Sequence, residues 1–389
     1  FKDISPNATY FDDLNNMMKN KSKQFVDRIT RLSYWKKKGV GKLKFDAVVG
    51  NPPYQESDKN DGKGSAKPIY HLFIDASKSI KPNYISLITP SVWFLGGKGM
   101  VSFRKSMLKD NSLKELTNFI TPKDVFDNVN LRGGVNYFLW DKSYDNNKGI
   151  RVNEYKNNIM ISSEMRDYTI PNLDLFISDN NGFRILKKLI KNNVIEIEYT
   201  KSEKMLANYV SERNPFGITT TFNKFEKNKN GVNIYKIYRS GNRHEYINKK
   251  HITKGLNLVD VIKVITPFAN NIGTDLTDDN LNTKIIKKDE ICTETYLVIG
   301  GELDLNIFEA TNICKYLATK FVRFLISLAK ANQNGTRQTY RFVPLQDFTE
   351  KSDIDWNKSI KEIDIQLYKK YGLNKEEIEY IEGKIKEMD

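Results

Sequence analysis

Short apolar runs alternate with segments of helical spacing along the first 140 residues of the chain. The runs with the length of strands are 45–49, 84–89, 116–121 and 135–140, and those with helical spacing are 68–80 and 103–109. Strands joined by helices imply crossover connections and a mostly parallel sheet covered by helices. The pattern therefore predicts an α/β fold, with each run a buried strand.

The composition and periodicity of the chain change after a polar stretch at 143–149. Short β-branched runs rich in Asn and Lys follow, then one strongly periodic helix over 312–330 and a charged helical hairpin over 361–388. We therefore predict two domains, an α/β domain over 1–150 and a mixed α+β domain over 151–389.

The net charge of the chain indicates which kind of partner it binds. The chain has 62 Lys and Arg against 48 Asp and Glu, a net charge of +14, and such a surplus favours polyanions because phosphate contacts release counterions. The alternative is a Lys- and Asn-rich proteome, which raises charge without any nucleic-acid role. No apolar run reaches the roughly 18 residues of a membrane span, so no membrane partner is expected.

Cysteine and histidine exclude other classes of site. Only Cys292 and Cys314 are present, which indicates a reducing, cytoplasmic location without a disulfide framework. Three histidines, scattered along the chain, are too few for an imidazole-based centre, so no metal site is expected.

The segment with the clearest chemistry joins the apolar run at 45–49 to Asn51-Pro52-Pro53-Tyr54. Two consecutive prolines cannot continue a strand, so the chain must leave the carboxyl edge of the sheet in a stiff loop. Ligands of open α/β sheets bind at that edge. The bland alternative is that these four residues form only a turn.

Such a loop presents the Asn51 side-chain oxygen and the Pro52 carbonyl as two acceptors beside an aromatic face. An exocyclic amine on a planar base is a weak nucleophile, because its lone pair is delocalised into the ring. Two acceptors that bind both amino hydrogens favour a more nucleophilic nitrogen. Tyr54 is then placed to stack on a base that has left the duplex. Transfer of a sulfonium methyl group needs no metal or covalent nucleophile, which agrees with the composition.

These residues carry a resemblance to a known family. The segment from Phe45 to about Lys142 resembles the amino-methyltransferases with the Asn-Pro-Pro-Tyr signature, and more closely the adenine-specific DNA methylases of type II restriction-modification systems. Further matching stretches are His71-Leu72-Phe73-Ile74, 84–91, Phe103-Arg104-Lys105, Val125-Phe126 and Gly133-Gly134-Val135. The resemblance extends more loosely into the C-terminal region.

The resemblance implies a partial Rossmann-like methyltransferase sheet followed by a DNA-recognition domain. It implies S-adenosylmethionine as the cofactor and double-stranded DNA as the substrate. It also implies that Phe126 packs on the flipped adenine opposite Tyr54, the alternative being a core phenylalanine at the sheet edge. Asp46, Asn51 and Pro68 are the candidate cofactor contacts.

The chain departs from the family upstream of the motif. The family binds its cofactor with a Gly-rich turn after the first strand, whereas Gly39-Val40-Gly41 lacks the strand and helix that such a turn needs. We therefore expect an upstream segment or another subunit to supply the cofactor half, with or without a nuclease. No nuclease motif is found in the chain, since the approach at Asp174 and Glu196-Ile197-Glu198 lacks the lysine.

Three polar clusters are candidate DNA contacts, because Asn, Gln and Arg have the hydrogen-bonding forks that read bases or hold phosphates. For each cluster a solvated loop is the alternative. The candidate residues are Lys63 and Lys67 beside the motif, Arg239, Asn242 and Arg243 in a turn, and Asn332, Gln333 and Arg337 in a loop.

Three functions remain open. The leading interpretation is a sequence-specific adenine methyltransferase of a restriction-modification system. A protein-glutamine methyltransferase is disfavoured, because those enzymes lack a basic C-terminal region of this size. A non-catalytic DNA-binding specificity fragment is the principal alternative, and the absent cofactor turn is its best support.

Overall fold

The computed structural model describes residues 14–35, 38–39, 41–56, 67–97, 99–126, 133–226, 231, 233–241, 243–273 and 280–388. The chain divides into two compact units, residues 1–180 and 181–389. Among the described residues, no helix is long and apolar enough to cross a membrane.

Among the described residues, helices and strands of the first unit alternate up to residue 119 and three further strands follow, whereas in the second unit six strands precede the last four helices. The helices of the described residues are α1 (Leu14–Ile29), α2 (Tyr70–Ser79), α3 (Val101–Leu108), α4 (Asn180–Lys191), α5 (Ile307–Ala318), α6 (Lys320–Ala329), α7 (Ile360–Lys370) and α8 (Lys375–Lys384). The strands are β1 (Ala47–Gly50), β2 (Tyr84–Pro90), β3 (Leu113–Phe119), β4 (Val135–Asp141), β5 (Ile150–Lys156), β6 (Ile159–Arg166), β7 (Ile234–Arg239), β8 (Arg243–Asn248), β9 (Lys263–Pro267), β10 (Lys284–Ile286), β11 (Glu290–Cys292) and β12 (Tyr296–Ile299).

The first unit is built on one six-stranded sheet in the order β1-β2-β4-β3-β5-β6. The α/β prediction is confirmed, but the prediction of a mostly parallel sheet is wrong. Only β1 with β2 and β3 with β5 are parallel, whereas β4 runs antiparallel to both neighbours and β6 runs antiparallel to β5. A short connection is enough to return an antiparallel strand, so β4 needs no crossover helix after β3.

The core of this sheet lies on β2, β3 and β4, under α2 and α3. Its largest fully buried side chains include Trp93, Tyr70 and Phe138, with Ile74 and Leu116 around them. The apolar spacing of the sequence therefore locates the core correctly, because strand alternation and helical stripes face the same layer.

Strand β1 differs from the buried strand that its apolar residues predict. Within the described residues it pairs with β2 alone, and Val49 is 78% exposed. The expectation of burial fails because a strand needs a neighbour or a covering layer on each side to bury alternate side chains.

The division between the units falls about thirty residues beyond the predicted boundary at 150. The reason is that β5 and β6 extend the first sheet, β5 pairing in parallel with β3. Asn180 closes this unit, since its N–H donates to Glu154 at 3.1 Å and its side chain donates to the Val152 carbonyl at 3.1 Å.

The second unit combines two three-stranded sheets, β10-β9-β12 and β11-β7-β8, with helices α5 to α8. The mixed α+β character expected there is observed. The predicted helix at 312–330 is two helices, because Thr319 adopts an extended conformation and its hydroxyl accepts the Val322 N–H as the N-cap of α6. Helices α7 and α8 form the predicted C-terminal hairpin, broken after Tyr371.

Candidate functional site

The Asn-Pro-Pro-Tyr loop begins where β1 ends. Asn51 follows the last strand residue and is exposed, Pro52 is buried, Pro53 is exposed and Tyr54 is half-buried. Burial of Pro52 anchors the rigid dipeptide, so the Asn51 side chain projects from a fixed backbone. The loop thus stands at the carboxyl end of β1, as predicted.

Backbone hydrogen bonds fix the far side of this loop. The Ile69 N–H donates to the Tyr54 carbonyl at 3.1 Å, and the Glu56 N–H donates to the Lys67 carbonyl at 3.0 Å. Pro68 forms an isolated antiparallel bridge with Gln55. The candidates Lys67 and Pro68 therefore lie directly beside the motif, whereas Lys63 lies outside the described residues.

The ring of Phe126 lies against the ring of Tyr54, with centroids 6.4 Å apart and an angle of 66° between the planes. The structure therefore brings together the two aromatic residues that the sequence predicts on either side of a base. In this edge-to-face arrangement the rings contact each other, so they do not form two parallel faces for a planar ligand.

The hydroxyl of Tyr54 is buried and has no hydrogen-bond partner among the described residues. Burial raises the pKa of Tyr54 to about 12, because the phenolate loses solvation. The side chain thus presents a neutral aromatic ring at physiological pH, as any tyrosine does, and buries one unsatisfied hydroxyl.

A buried polar network lies behind the motif at the same sheet edge. Asn136 of β4 is fully buried and donates to the Thr89 carbonyl at 3.0 Å and to the Ser91 hydroxyl at 3.3 Å. Ser91 in turn donates to the Asn118 side chain at 2.7 Å. The network therefore joins β2, β4 and β3. It lies where β3 ends and β4 begins, and Phe126 belongs to the segment between these two strands.

Gly134 tightens this junction. Its φ of +84° is unfavourable for other residues, and a Cβ there would lie 2.8 Å from the Phe119 carbonyl oxygen. Its own carbonyl accepts the Ser91 N–H at 3.0 Å. Sequence analysis noted Gly133-Gly134 but missed the network, whose signal was the polar residues within apolar strand runs.

An apolar cavity of about 280 Å³ lies beside the loop. It is lined by α1, β1, the motif and α2 through Met18, Phe25, Ile29, Val48, Gly50, Asn51, Pro52, Pro53, Phe73, Ala76, Ser77, Ile80 and Leu87. The Ser77 hydroxyl donates to the Phe73 carbonyl at 2.7 Å, which leaves the Asn51 amide as the main uncommitted polar group of this lining.

This lining does not complete a site for S-adenosylmethionine. That molecule carries a sulfonium, an amino-acid zwitterion and a ribose diol, whereas no charged side chain of the described residues lines the cavity. Asp46 does not compensate, because it precedes β1, roughly 16 Å of extended chain from Asn51, and accepts a hydrogen bond from Asn83 at 3.2 Å. Across the described ranges, no cluster of His, Cys, Asp or Glu side chains could hold a metal.

The candidate DNA residues of the second unit have different environments. Arg243 and Asn332 are exposed, and Gln333 is half-buried. Arg239 forms an ion pair with Glu245 at 2.6 Å, and Arg337 donates to the Val210 carbonyl at 2.8 Å, so both arginines also hold the fold. Asn242 lies outside the described residues.

Contacts within the second unit link the two clusters indirectly, although about ninety residues separate them in sequence. The Tyr296 hydroxyl donates to the Arg239 carbonyl at 3.2 Å, and the Phe268 N–H donates to the Thr295 carbonyl at 2.8 Å. The Phe268 carbonyl accepts the Gly335 N–H. The segment 293–296 therefore connects the turn at 239–243 with the loop at 332–337.

Comparison with known proteins shows which class of protein the chain resembles. Residues 2–126 match the family model of the Eco57I restriction-modification methylase. This range contains the Asn-Pro-Pro-Tyr loop and ends at Phe126, so the resemblance drawn from those residues is confirmed for the part of the chain that holds the site.

Particular relatives agree with this class. Over 205 residues the chain is 28% identical to an uncharacterised adenine-specific methylase of Mycoplasma pneumoniae, an alignment that covers 48% of this chain and 47% of the relative. The chain thus spans about half the length of that protein.

Two solved structures are also similar. The type IIL restriction-modification enzyme MmeI, solved in complex with DNA, has a TM-score of 0.49 at 8% identity, covering 87% of this chain and 56% of MmeI. The type IIG restriction endonuclease BpuSI has a TM-score of 0.34 at 12% identity, covering 82% and 48% of the two chains.

Proposed function

We propose that this chain serves in methylation of the exocyclic amine of adenine in double-stranded DNA, within a restriction-modification system. The observation that carries the proposal is the exposed Asn51 at the carboxyl end of β1, next to the paired rings of Tyr54 and Phe126. The match of residues 2–126 to a restriction-modification methylase supports the choice of reaction.

In this proposal Asn51 and Pro52 act on the amine. The Asn51 side-chain oxygen and the Pro52 carbonyl accept one amino hydrogen each, which holds the nitrogen in place and makes its lone pair more available. Since Pro52 is buried, its carbonyl is part of a rigid frame and costs little reorganisation when the base arrives.

Tyr54 and Phe126 hold the base. An adenine within a duplex is inaccessible, so the base must leave the stack before its amine reaches Asn51. Stacking on aromatic side chains offsets part of the cost of unstacking, by about 1–3 kcal/mol per base. Tyr54 is neutral at physiological pH, so its ring carries no charge that would oppose DNA phosphates.

We propose S-adenosylmethionine as the methyl donor, since a methylase requires such a group and a sulfonium methyl is electrophilic without acid or metal assistance. The described residues do not complete a site for this donor, so the proposed roles of Asn51, Tyr54 and Phe126 are to hold the base and its amine. The second unit is proposed to select the DNA sequence, through Arg243, Asn332, Gln333 and their neighbours.

The test is methylation mapping in a host that lacks adenine methylation. The chain is expressed, and single-molecule sequencing of host DNA records every N6-methyladenine. We expect modification within one short sequence context, and none when Asn51→Ala is expressed at the same level. Exposed Gln55→Ala is the matched control and should leave the modification pattern unchanged.

Two other measurements separate the alternatives. Calorimetric titration with S-adenosylmethionine shows whether the folded chain binds the donor, and anisotropy with duplex DNA shows whether it binds its substrate. Binding of DNA without donor binding or methylation would identify a recognition fragment and contradict catalysis by this chain. Absence of DNA binding by a cooperatively folded protein would contradict the whole proposal.

A further inference from the structure

Arg213 in the second unit is held in an unusual way for an exposed arginine. Its side chain is 58% exposed, yet its guanidinium lies over the Phe268 ring, 4.7 Å from the centroid, and pairs with Glu294 at 3.1 Å. The guanidinium thus contacts both a ring and a carboxylate, while more than half of the side chain stays exposed to solvent.

The carboxylate that orients Arg213 is itself fixed. Glu294 accepts the Thr220 N–H at 2.8 Å and the Thr220 hydroxyl at 3.1 Å, and only 16% of its side chain is exposed. These hydrogen bonds, together with Arg213, hold the pKa of Glu294 below its usual range, so the carboxylate is ionised at neutral pH. The guanidinium is therefore clamped between a ring and a fixed charge.

Hydrogen bonds link the residues of this clamp to both candidate DNA loops. Glu294 lies in the segment 293–296, and the Tyr296 hydroxyl of the same segment donates to the Arg239 carbonyl. The Phe268 carbonyl accepts the Gly335 N–H from the loop at 332–337. Arg213 is thus attached to the same group of residues that brings both loops together.

A clamped guanidinium is well suited to a pair of acceptor oxygens or nitrogens. It has five N–H donors in a rigid fork, and the ion pair with Glu294 uses one of its terminal nitrogens. Since stacking on Phe268 already restricts the side chain, less conformational entropy is lost when a ligand binds. Duplex DNA offers two matching acceptor sets, the guanine edge in the major groove and the phosphate.

We infer that Arg213 is a DNA-contacting residue, clamped by Phe268 and Glu294 to donate to an acceptor pair on the duplex. The inference rests on the proposed function and adds a residue that neither loop contains. Phe268 and Glu294 are positioning residues, since they act through Arg213.

The experiment measures the dissociation constant of the full chain for a duplex library with a randomised core, by anisotropy over a series of salt concentrations. Arg213→Gln should weaken binding about tenfold, and Phe268→Leu should weaken it by a smaller factor. Lys375→Gln is the matched control. Lys375 lies on α8 with its side chain 88% exposed, and the substitution removes one positive charge, as Arg213→Gln does. The control should change affinity less than about twofold, and thermal unfolding midpoints should match wild type.

Sequencing of the bound library separates the two acceptors. A phosphate contact lowers affinity for all sequences and reduces the salt slope by about one, whereas a base contact removes the preference at one position. Either result supports the inference. Wild-type affinity and sequence preference in Arg213→Gln would overturn it while leaving the proposed function intact, whereas failure of wild type to bind any duplex would overturn both.

Discussion

The proposed base-binding site of the first unit and the loop cluster of the second unit are built in opposite ways. The first consists of four consecutive residues after β1, with one ring, Phe126, brought from a distance. The second consists of short segments around 213, 239, 268, 294 and 333 that hydrogen bonds tie together. A chemical centre can thus be contained in one rigid loop, whereas a surface that selects a sequence requires side chains from many loops.

The sharpest way to test the compactness of the first site is to remove its central acceptor. In single-turnover assays with saturating DNA, Asn51→Ala should lower the rate of methyl transfer about a hundredfold or more, because a preorganised acceptor of the reacting amine is lost. DNA affinity should stay within about twofold, since Asn51 supplies no phosphate contact. Equal losses of rate and affinity would contradict the division of roles between the two units.

The distant ring tests whether the site depends on more than its loop. Phe126→Ala should reduce formation of the flipped state about tenfold or more, measured by 2-aminopurine fluorescence in a bound duplex, because one stacking face is lost. Phe126→Tyr keeps that face and should restore most of the signal. If both variants behave like wild type, Phe126 is a core residue and not part of the base site.

The buried network behind the site should govern stability more than chemistry. Asn136→Leu leaves the Thr89 carbonyl and the Ser91 hydroxyl without their partner and should cost about 2–3 kcal/mol in the free energy of unfolding, measured with urea. Asn147→Leu is the control, because Asn147 is exposed. Equal stability of both variants would show that the junction tolerates an apolar side chain.

The smallest effect concerns the scaffold of the second unit. Asp364 accepts the N–H groups of Lys320 and Phe321 at the start of α6, and burial raises its pKa to about 6. Since the folded state holds this proton more tightly than the unfolded state, stability should decrease by about 1–2 kcal/mol as pH rises from about 4 to about 6, and remain constant above.

Asp364→Asn isolates this contribution, because its side chain is uncharged throughout the range. Its unfolding free energy should lack that decrease, and the difference between the two proteins should therefore depend on pH only below about 6. A parallel pH dependence in both proteins would assign the titration to other groups.

The contrast between the two regions also explains how far sequence analysis reached. Asn51 to Tyr54 could be proposed from the sequence because their chemistry is local, and the strand and helix spacing around them followed from side-chain periodicity. The antiparallel β4 and the exposure of β1 were missed, because strand order and neighbours depend on long-range pairing that periodicity does not encode.

The clamp at Arg213 was missed for a related reason. Arg213, Phe268 and Glu294 lie in three separate segments, so no single stretch of sequence shows that they meet. The break at Thr319 was missed because a single threonine does not interrupt a helical pattern in the sequence. In the structure, the Thr319 cap and the hydrogen bond from Lys320 to Asp364 favour two helices.

The tilted contact of Tyr54 with Phe126 has a consequence for the crowded interior of a cell, where free adenine nucleotides are abundant. In the proposed function, any adenine that enters must first displace an edge-to-face contact worth about 0.5–1.5 kcal/mol. A nucleotide from solution meets that barrier at its bulk concentration, whereas a base tethered in bound DNA meets it at a high effective concentration. The closed rings should therefore make competition by free nucleotides inefficient, while a base already delivered by the duplex can still enter.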